Sequence, residues 1–175
     1  MTIPDSIGTP IEGFRIRCAG LEDVPLVLHF IRKLAEYEKL THEVEATEEK
    51  LAQHLFGQEK TAEVVIGFYH DLPVGFALYF KSFSTFLARP GIYLEDLYVL
   101  EDHRGKGFGT MLLAYLARLV VDGGMGRLEW SVLDWNKPSI RFYKSLGARL
   151  MEEWIVNRLT GGALVRLAES FEASD

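Results

Sequence analysis

Apolar and polar residues alternate along this chain with two periods, and the periods divide it into elements. Phe14-Arg15-Ile16-Arg17 switches at every residue, as a strand buried on one face does. Leu26, Phe30, Leu34 and Tyr37 recur at helical spacing and predict a helix over 21–40. Thr47, followed by Glu48 and Glu49, reads as the N-cap and acidic first turn of a second helix that ends near Gly57. Residues 62–69 are β-rich. His70-Asp71-Leu72-Pro73 then predicts a turn, and 74–81 returns as the second strand of a hairpin. Ile92 to Leu100, IYLEDLYVL, predicts a third strong strand. Beyond a glycine-rich turn, the apolar run 111–121 predicts a buried helix that stops at Asp122-Gly123-Gly124. A strand over 128–133 and a short helix over 138–146, closed by Gly147, follow. Two closing strands are expected over 149–159 and 163–168, joined at Gly161-Gly162. Residues 1–13 hold two Pro and two Gly with little periodicity and predict a loose arm. The remaining order, β-α-α-β-β-β-α-β-α-β-β, predicts an α/β fold over 14–170: a mixed sheet with helices on its faces.

Composition narrows the class. With 175 residues the chain suits a single domain, and 48% hydrophobic content excludes a disordered one. Nineteen basic against 25 acidic residues leave a net charge of −6. That balance argues against a nucleic-acid binder, which shows a basic face, and suits a cationic partner. Cys18 is the single cysteine, so an internal disulfide and an all-cysteine zinc site are excluded, and a reducing compartment is expected. The opening MTIPDSIGTP lacks the basic and apolar regions of a signal peptide. The run 111–121 is too short to span a bilayer and contains Arg118. These features predict a soluble cytoplasmic protein with no membrane partner. The five histidines show no metal spacing; His70 and His103 are expected at the surface of turns, and no metal is expected.

The sharpest motif is Arg104-Gly105-Lys106-Gly107-Phe108-Gly109-Thr110, between a predicted strand and a predicted helix. Glycines let the backbone approach a ligand and aim several N–H groups at one anion. The helix adds its positive end, and Arg104 and Lys106 add full charges. The segment reads as a pyrophosphate cradle. It is not a Walker A loop, because Gly107 stands where Ser or Thr is needed and Leu100 where the first glycine is needed. Nor is it a dinucleotide fingerprint, whose third glycine is replaced by Thr110.

This R-x-x-G-x-G segment, with Arg104, Gly107 and Gly109, resembles the acyl-CoA motif of the GNAT N-acetyltransferase superfamily. Leu34-Ala35-Glu36-Tyr37-Glu38, Tyr93-Leu94-Glu95-Asp96 and the segment from Trp135 to Lys144 resemble its diamine (spermidine/spermine) and thialysine N-acetyltransferase branch. The resemblance runs from about Phe14 to Glu169. It implies a mostly antiparallel central sheet with helices on both faces, acetyl-CoA as co-substrate, a small cationic amine as acceptor and a homodimer.

Transfer to an amine requires removal of its proton, stabilisation of an oxyanion and protonation of the leaving thiolate. Glu95 interrupts an apolar strand, a costly place for a carboxylate unless it is used or paired. In strict alternation Glu95 and Asp96 face opposite sides. The resemblance implies Glu95 as the amine-binding and proton-accepting group, through water, and Tyr143 as the general acid toward the thiolate. It further implies that Leu97, Tyr98 and Val99 run along the pantetheine arm, that residues from Arg104 to Thr110, among them Gly105 and Phe108, hold the pyrophosphate, and that Asn136, Ser139 and Tyr143 contact CoA. Tyr37, Glu38, Glu95, Glu129 and Glu152 or Glu153 match or adjoin the amine-facing positions of this branch. The hairpin at 70–73 and the stretch Glu129-Trp130-Ser131 depart from the animal polyamine enzymes, while relatives in the branch acetylate lysine-like amines such as thialysine. Two other readings are an N-acetyltransferase of proteins or peptides and a non-catalytic acyl-CoA-binding module; Glu95 and Tyr143 together speak against the second.

Overall fold

A computed structural model describes residues 6–171. Six strands form one sheet in chain order: β1 (Ile7–Gly8), β2 (Phe14–Cys18), β3 (Glu63–Tyr69), β4 (Leu72–Ser84), β5 (Arg89–Val99) and β6 (Leu128–Trp130). Neighbours are antiparallel from β1 to β5, and β6 runs parallel to β5. The mixed, mostly antiparallel α/β architecture expected from the sequence is therefore present. Helices α1 (Val24–Glu38), α2 (Glu48–Phe56) and α3 (Phe108–Asp122) accompany this sheet in one compact unit that ends at Ser131. A second unit begins at Val132 and holds α4 (Lys137–Ser145) and α5 (Gly161–Glu169).

The sheet is covered on both faces, and alternation along the strands decides which side chain goes where. Val64, Ile66 and Phe68 of β3 and Phe76 of β4 pack with Val27 and Phe30 of α1 and Leu55 of α2. The intervening residues face α3: Phe14 stacks on Phe108 with ring centroids 4.3 Å apart, and Tyr69 meets the same ring at 4.9 Å. Burial of these side chains is the main force that holds the layers together.

Local signals set several boundaries. The Thr47 hydroxyl accepts from the Lys50 N–H at 3.3 Å, and Gly57 is the C-cap of α2. The helix expected from Leu21 begins as a short 3-10 turn at Leu21–Asp23, and α1 proper starts beside Pro25, which tolerates only a first helical turn. The hairpin turn is tighter than expected. His70 and Asp71 both take left-handed φ, 46° and 65°, so two residues close it, and Leu72 and Pro73 belong to β4. Part of the expected arm is ordered, since Ile7 and Gly8 pair with Ile16 and Arg15; residues 1–5 lie outside the described residues.

The two closing strands are not formed. Residues 149–159 carry no regular element, and 161–169 form α5. The run Ala163-Leu164-Val165-Arg166-Leu167-Ala168-Glu169 is mostly strong helix formers. Among the described residues the second unit contributes no strand to the sheet, and a two-stranded hairpin by itself is marginal, whereas a helix satisfies its own backbone. β6 likewise stops at Trp130 rather than Leu133. Among the described residues no helix is long and apolar enough to cross a membrane.

Candidate active site

The glycine-rich loop forms because two of its residues need left-handed backbone. Gly105 has φ 75° and Gly107 φ 85°, a region that disfavours any residue with a Cβ. A Cβ on Gly107 would also stand 3.0 Å from Ile11 Cδ1. Gly107 is the N-cap of α3 and has no side chain to cap it, so the helix starts three residues before the expected Met111. Among the described residues, the backbone N–H groups from Gly105 to Thr110 have no backbone partner. Phe108, 2% exposed, anchors the loop through its stack on Phe14. Free N–H groups at a helix N-terminus fit a pyrophosphate.

β5 borders this loop, and its free edge is the second feature. β5 pairs with β4 along its length but with β6 only from Ile92 to Leu94. Beyond Leu94, among the described residues, no strand pairs with that edge of β5, along which Leu97, Tyr98 and Val99 lie. An extended chain with amide groups can add there as a strand would.

At the point where β5 and β6 part, the register slips. Tyr79 lies opposite Leu94 and Leu78 opposite Asp96, which leaves Glu95 as the extra residue of a bulge. Directly opposed residues share a face, so Asp96 lies on the face of Leu78, which packs toward α1 and α2. The expectation that Glu95 and Asp96 face opposite sides is therefore corrected: the bulge breaks the alternation and turns Asp96 to the α1 side. Burial, then the charges of Glu95 and Glu38, push the Asp96 carboxyl up to about 7. Burial also raises the carboxyl of Glu38, at the C-terminal end of α1. Tyr93 pairs with Glu129 and Tyr98 with Phe76, so these side chains share the α1 face. Glu129 is held by Arg127 at 2.6 Å, and the Tyr93 hydroxyl meets the Ser131 hydroxyl at 2.6 Å. Tyr93, Asp96 and Glu129 thus share the α1 face, Glu38 stands near Asp96 at the end of α1, and Glu95 is exposed at the bulge beside them. Asp96 escaped the sequence reading because a bulge has no periodic signature; the one signal was two adjacent acids inside an apolar strand.

The two loop cations lie against aromatic rings. The Arg104 guanidinium lies 4.5 Å from the ring of Tyr37 and 5.2 Å from that of Tyr98, and its Nε donates to the Val99 carbonyl at 2.9 Å. Lys106 Nζ stands 5.7 Å from the Tyr69 ring. His103 is half-buried rather than a surface residue, its ring 6.4 Å from that of Phe108. Cys18 faces the opposite side of the sheet from the acids, with Sγ 3.8 Å from the Tyr115 hydroxyl on α3.

The second unit carries the remaining predicted residues. Asn136, 4% exposed, caps α4: its Oδ1 accepts from the Ser139 N–H at 3.2 Å. Tyr143 is half-buried in α4, its ring 5.3 Å from that of Phe142. Glu152 and Glu153 lie in an exposed turn closed by the Trp154 N–H on the Met151 carbonyl at 3.1 Å. Among the described residues, no group of three or more His, Cys, Asp or Glu side chains is placed to hold a metal ion.

Residues 29–148 match the Acetyltransferase (GNAT) family. The chain is 34% identical to the L-ornithine N5-acetyltransferase of Arabidopsis thaliana, across 93% of this chain and 92% of that protein. It is 37% identical to the thialysine N-epsilon-acetyltransferase of Mus musculus, across 88% of this chain and 96% of that protein. Among solved structures it resembles an integron cassette protein from the mobile metagenome of V. cholerae, with a TM-score of 0.75 and 30% identity over 90% of this chain and 98% of that one.

Proposed function

The chain belongs to the acetyltransferase (GNAT) family and is an N-acetyltransferase, and from this premise we propose that it moves the acetyl group of acetyl-CoA directly to the primary amine of a small cationic substrate within a ternary complex. The observation that carries the reading is the closeness of Glu38 and Glu95 to Asp96 where β5 parts from β6, with Glu129 on the neighbouring strand. Carboxylates there attract an ammonium group. One of them, Glu95, takes its proton through water, since an alkylammonium titrates near ~10 and must be deprotonated to attack. The free β5 edge at Leu97, Tyr98 and Val99 receives the pantetheine amides, and the N–H groups from Gly105 to Thr110 receive the pyrophosphate. Tyr143 protonates the departing thiolate, and Asn136 and Ser139 contact CoA at the start of α4. Direct attack suits a site whose face lacks a thiol, because Cys18 points to α3.

The amine is lysine-like, ornithine-like or a diamine or polyamine; the relatives named for ornithine and thialysine favour an amino acid with a side-chain amine. In this reading residues 14–170 work as one acetyltransferase domain, and the chain is a cytoplasmic homodimer. A screen of ornithine, thialysine, lysine, diamines, polyamines and peptides with acetyl-CoA tests the substrate class. Free amines should be turned over far better than peptides; the reverse result removes the proposal. Tyr143→Phe should lower kcat about a hundredfold while acetyl-CoA affinity stays within about twofold. Unchanged turnover would take Tyr143 out of the mechanism.

A further inference from the structure

Arg104 opens the glycine-rich loop, yet its side chain is spent elsewhere. The guanidinium lies against Tyr37 on the last turns of α1 and against Tyr98 near the end of β5. Its Nε donates to the Val99 carbonyl at 2.9 Å, and its Nη1 stands 3.8 Å from Glu101 Oε1. One side chain therefore joins three segments: the end of α1, the end of β5 and the turn that leads into the loop. α1 ends where Lys39 turns left-handed at φ 61°, with the Leu40 N–H on the Ala35 carbonyl at 2.8 Å. Glu38 follows Tyr37 directly and faces the acid group of β5.

We propose that Arg104 is a positioning residue of the amine site: its guanidinium clamps the last turn of α1 to the end of β5, fixing Tyr37 and Glu38 relative to Glu95, and it is not a phosphate ligand. The contacts require a planar cation. A guanidinium can stack on rings while an edge N–H donates in its own plane, whereas an ammonium is a strongly hydrated point charge without that fork. The phosphate role then falls to backbone N–H groups of the loop.

The test uses the full chain with Arg104→Lys, Arg104→Gln and Tyr37→Leu. Hydrogen exchange at the Lys39 and Leu40 amides should quicken about tenfold in the two Arg104 variants, which lose the cation–ring contact and the charged hydrogen bond, and about threefold in Tyr37→Leu, which loses the ring contact alone. Acetyl-CoA affinity should stay within about twofold in Arg104→Lys and Arg104→Gln, and its salt dependence should not change. For the best amine in the screen, KM should rise about tenfold with kcat less affected, and Arg104→Lys combined with Tyr37→Leu should be no worse than either alone. Only the kinetic arm rests on the acetyltransferase reading; exchange and acetyl-CoA affinity need no turnover, so failure of the two ideas is distinguishable. The clamp is overturned if Lys39 and Leu40 exchange as in the wild type. It is overturned equally if Arg104→Gln weakens acetyl-CoA tenfold with a reduced salt slope, which would make Arg104 a phosphate ligand.

Discussion

Asp96 carries a carboxyl that burial moves far from its ordinary range. A carboxyl raised to about 7 keeps its proton in the folded chain where the unfolded chain, near ~3.9, has lost it. Over that interval the folded state binds more protons, so its stability falls as pH rises, and the penalty is complete above about 7. Asp96→Asn should therefore melt with the wild type at pH 4 and a few degrees above it at pH 8. Parallel melting curves across that range would show that Asp96 titrates normally. At this scale much of the site was legible: Glu95 stood out as a charge in an apolar strand, and Tyr37 and Glu38 as residues of the first helix. What escaped was direction. The face of Asp96 depends on one extra residue in β5, and the direction of Arg104 depends on Tyr37, 67 positions earlier in the chain.

Among the elements, α3 and its loop show most clearly how fold positions chemistry. Phe108 is both the first helical residue and a core residue, so the free N–H groups around it are held by the packing of Phe14 and Tyr69. Phe108→Ala should cost about 3–5 kcal/mol in denaturant unfolding, the loss of a buried aromatic. Gly107→Ala should behave differently. The left-handed backbone and the 3.0 Å approach to Ile11 make it a strained substitution of about 1–2 kcal/mol confined to the loop. Acetyl-CoA affinity should then fall about tenfold while the fold persists, as titration calorimetry and circular dichroism can show. Elements with local punctuation were readable in advance: Thr47 and Gly57 bound α2, and the His70-Asp71 turn joins β3 to β4. The closing strands were not, because alternation over 149–159 names a strand only where a neighbour exists to pair with it. α5 formed from residues that prefer a helix when none does.

For the molecule as a whole, the net charge of −6 matters less than its distribution. Free N–H groups gather before α3, and Asp96 lies close to Glu38 and Glu95, so in the proposed function an anionic co-substrate and a cationic amine would meet separate fields within one unit. The second unit adds an unused surface. Trp154, Ile155 and Val156 are 68%, 83% and 78% exposed, and Leu164, Val165 and Leu167 of α5 are at least half exposed. Large exposed apolar patches mark contacts with another protein or a membrane. If the homodimer forms, this surface is where it should be buried, and light scattering should give twice the chain mass of 19.8 kDa at micromolar concentration. Ile155→Lys with Val156→Lys should then halve the scattered mass and leave the far-ultraviolet circular dichroism unchanged, since neither residue belongs to a helix, a strand or the core. A wild-type mass of one chain at every concentration would reject the dimer, and a double variant that remains a dimer would move the interface to another surface.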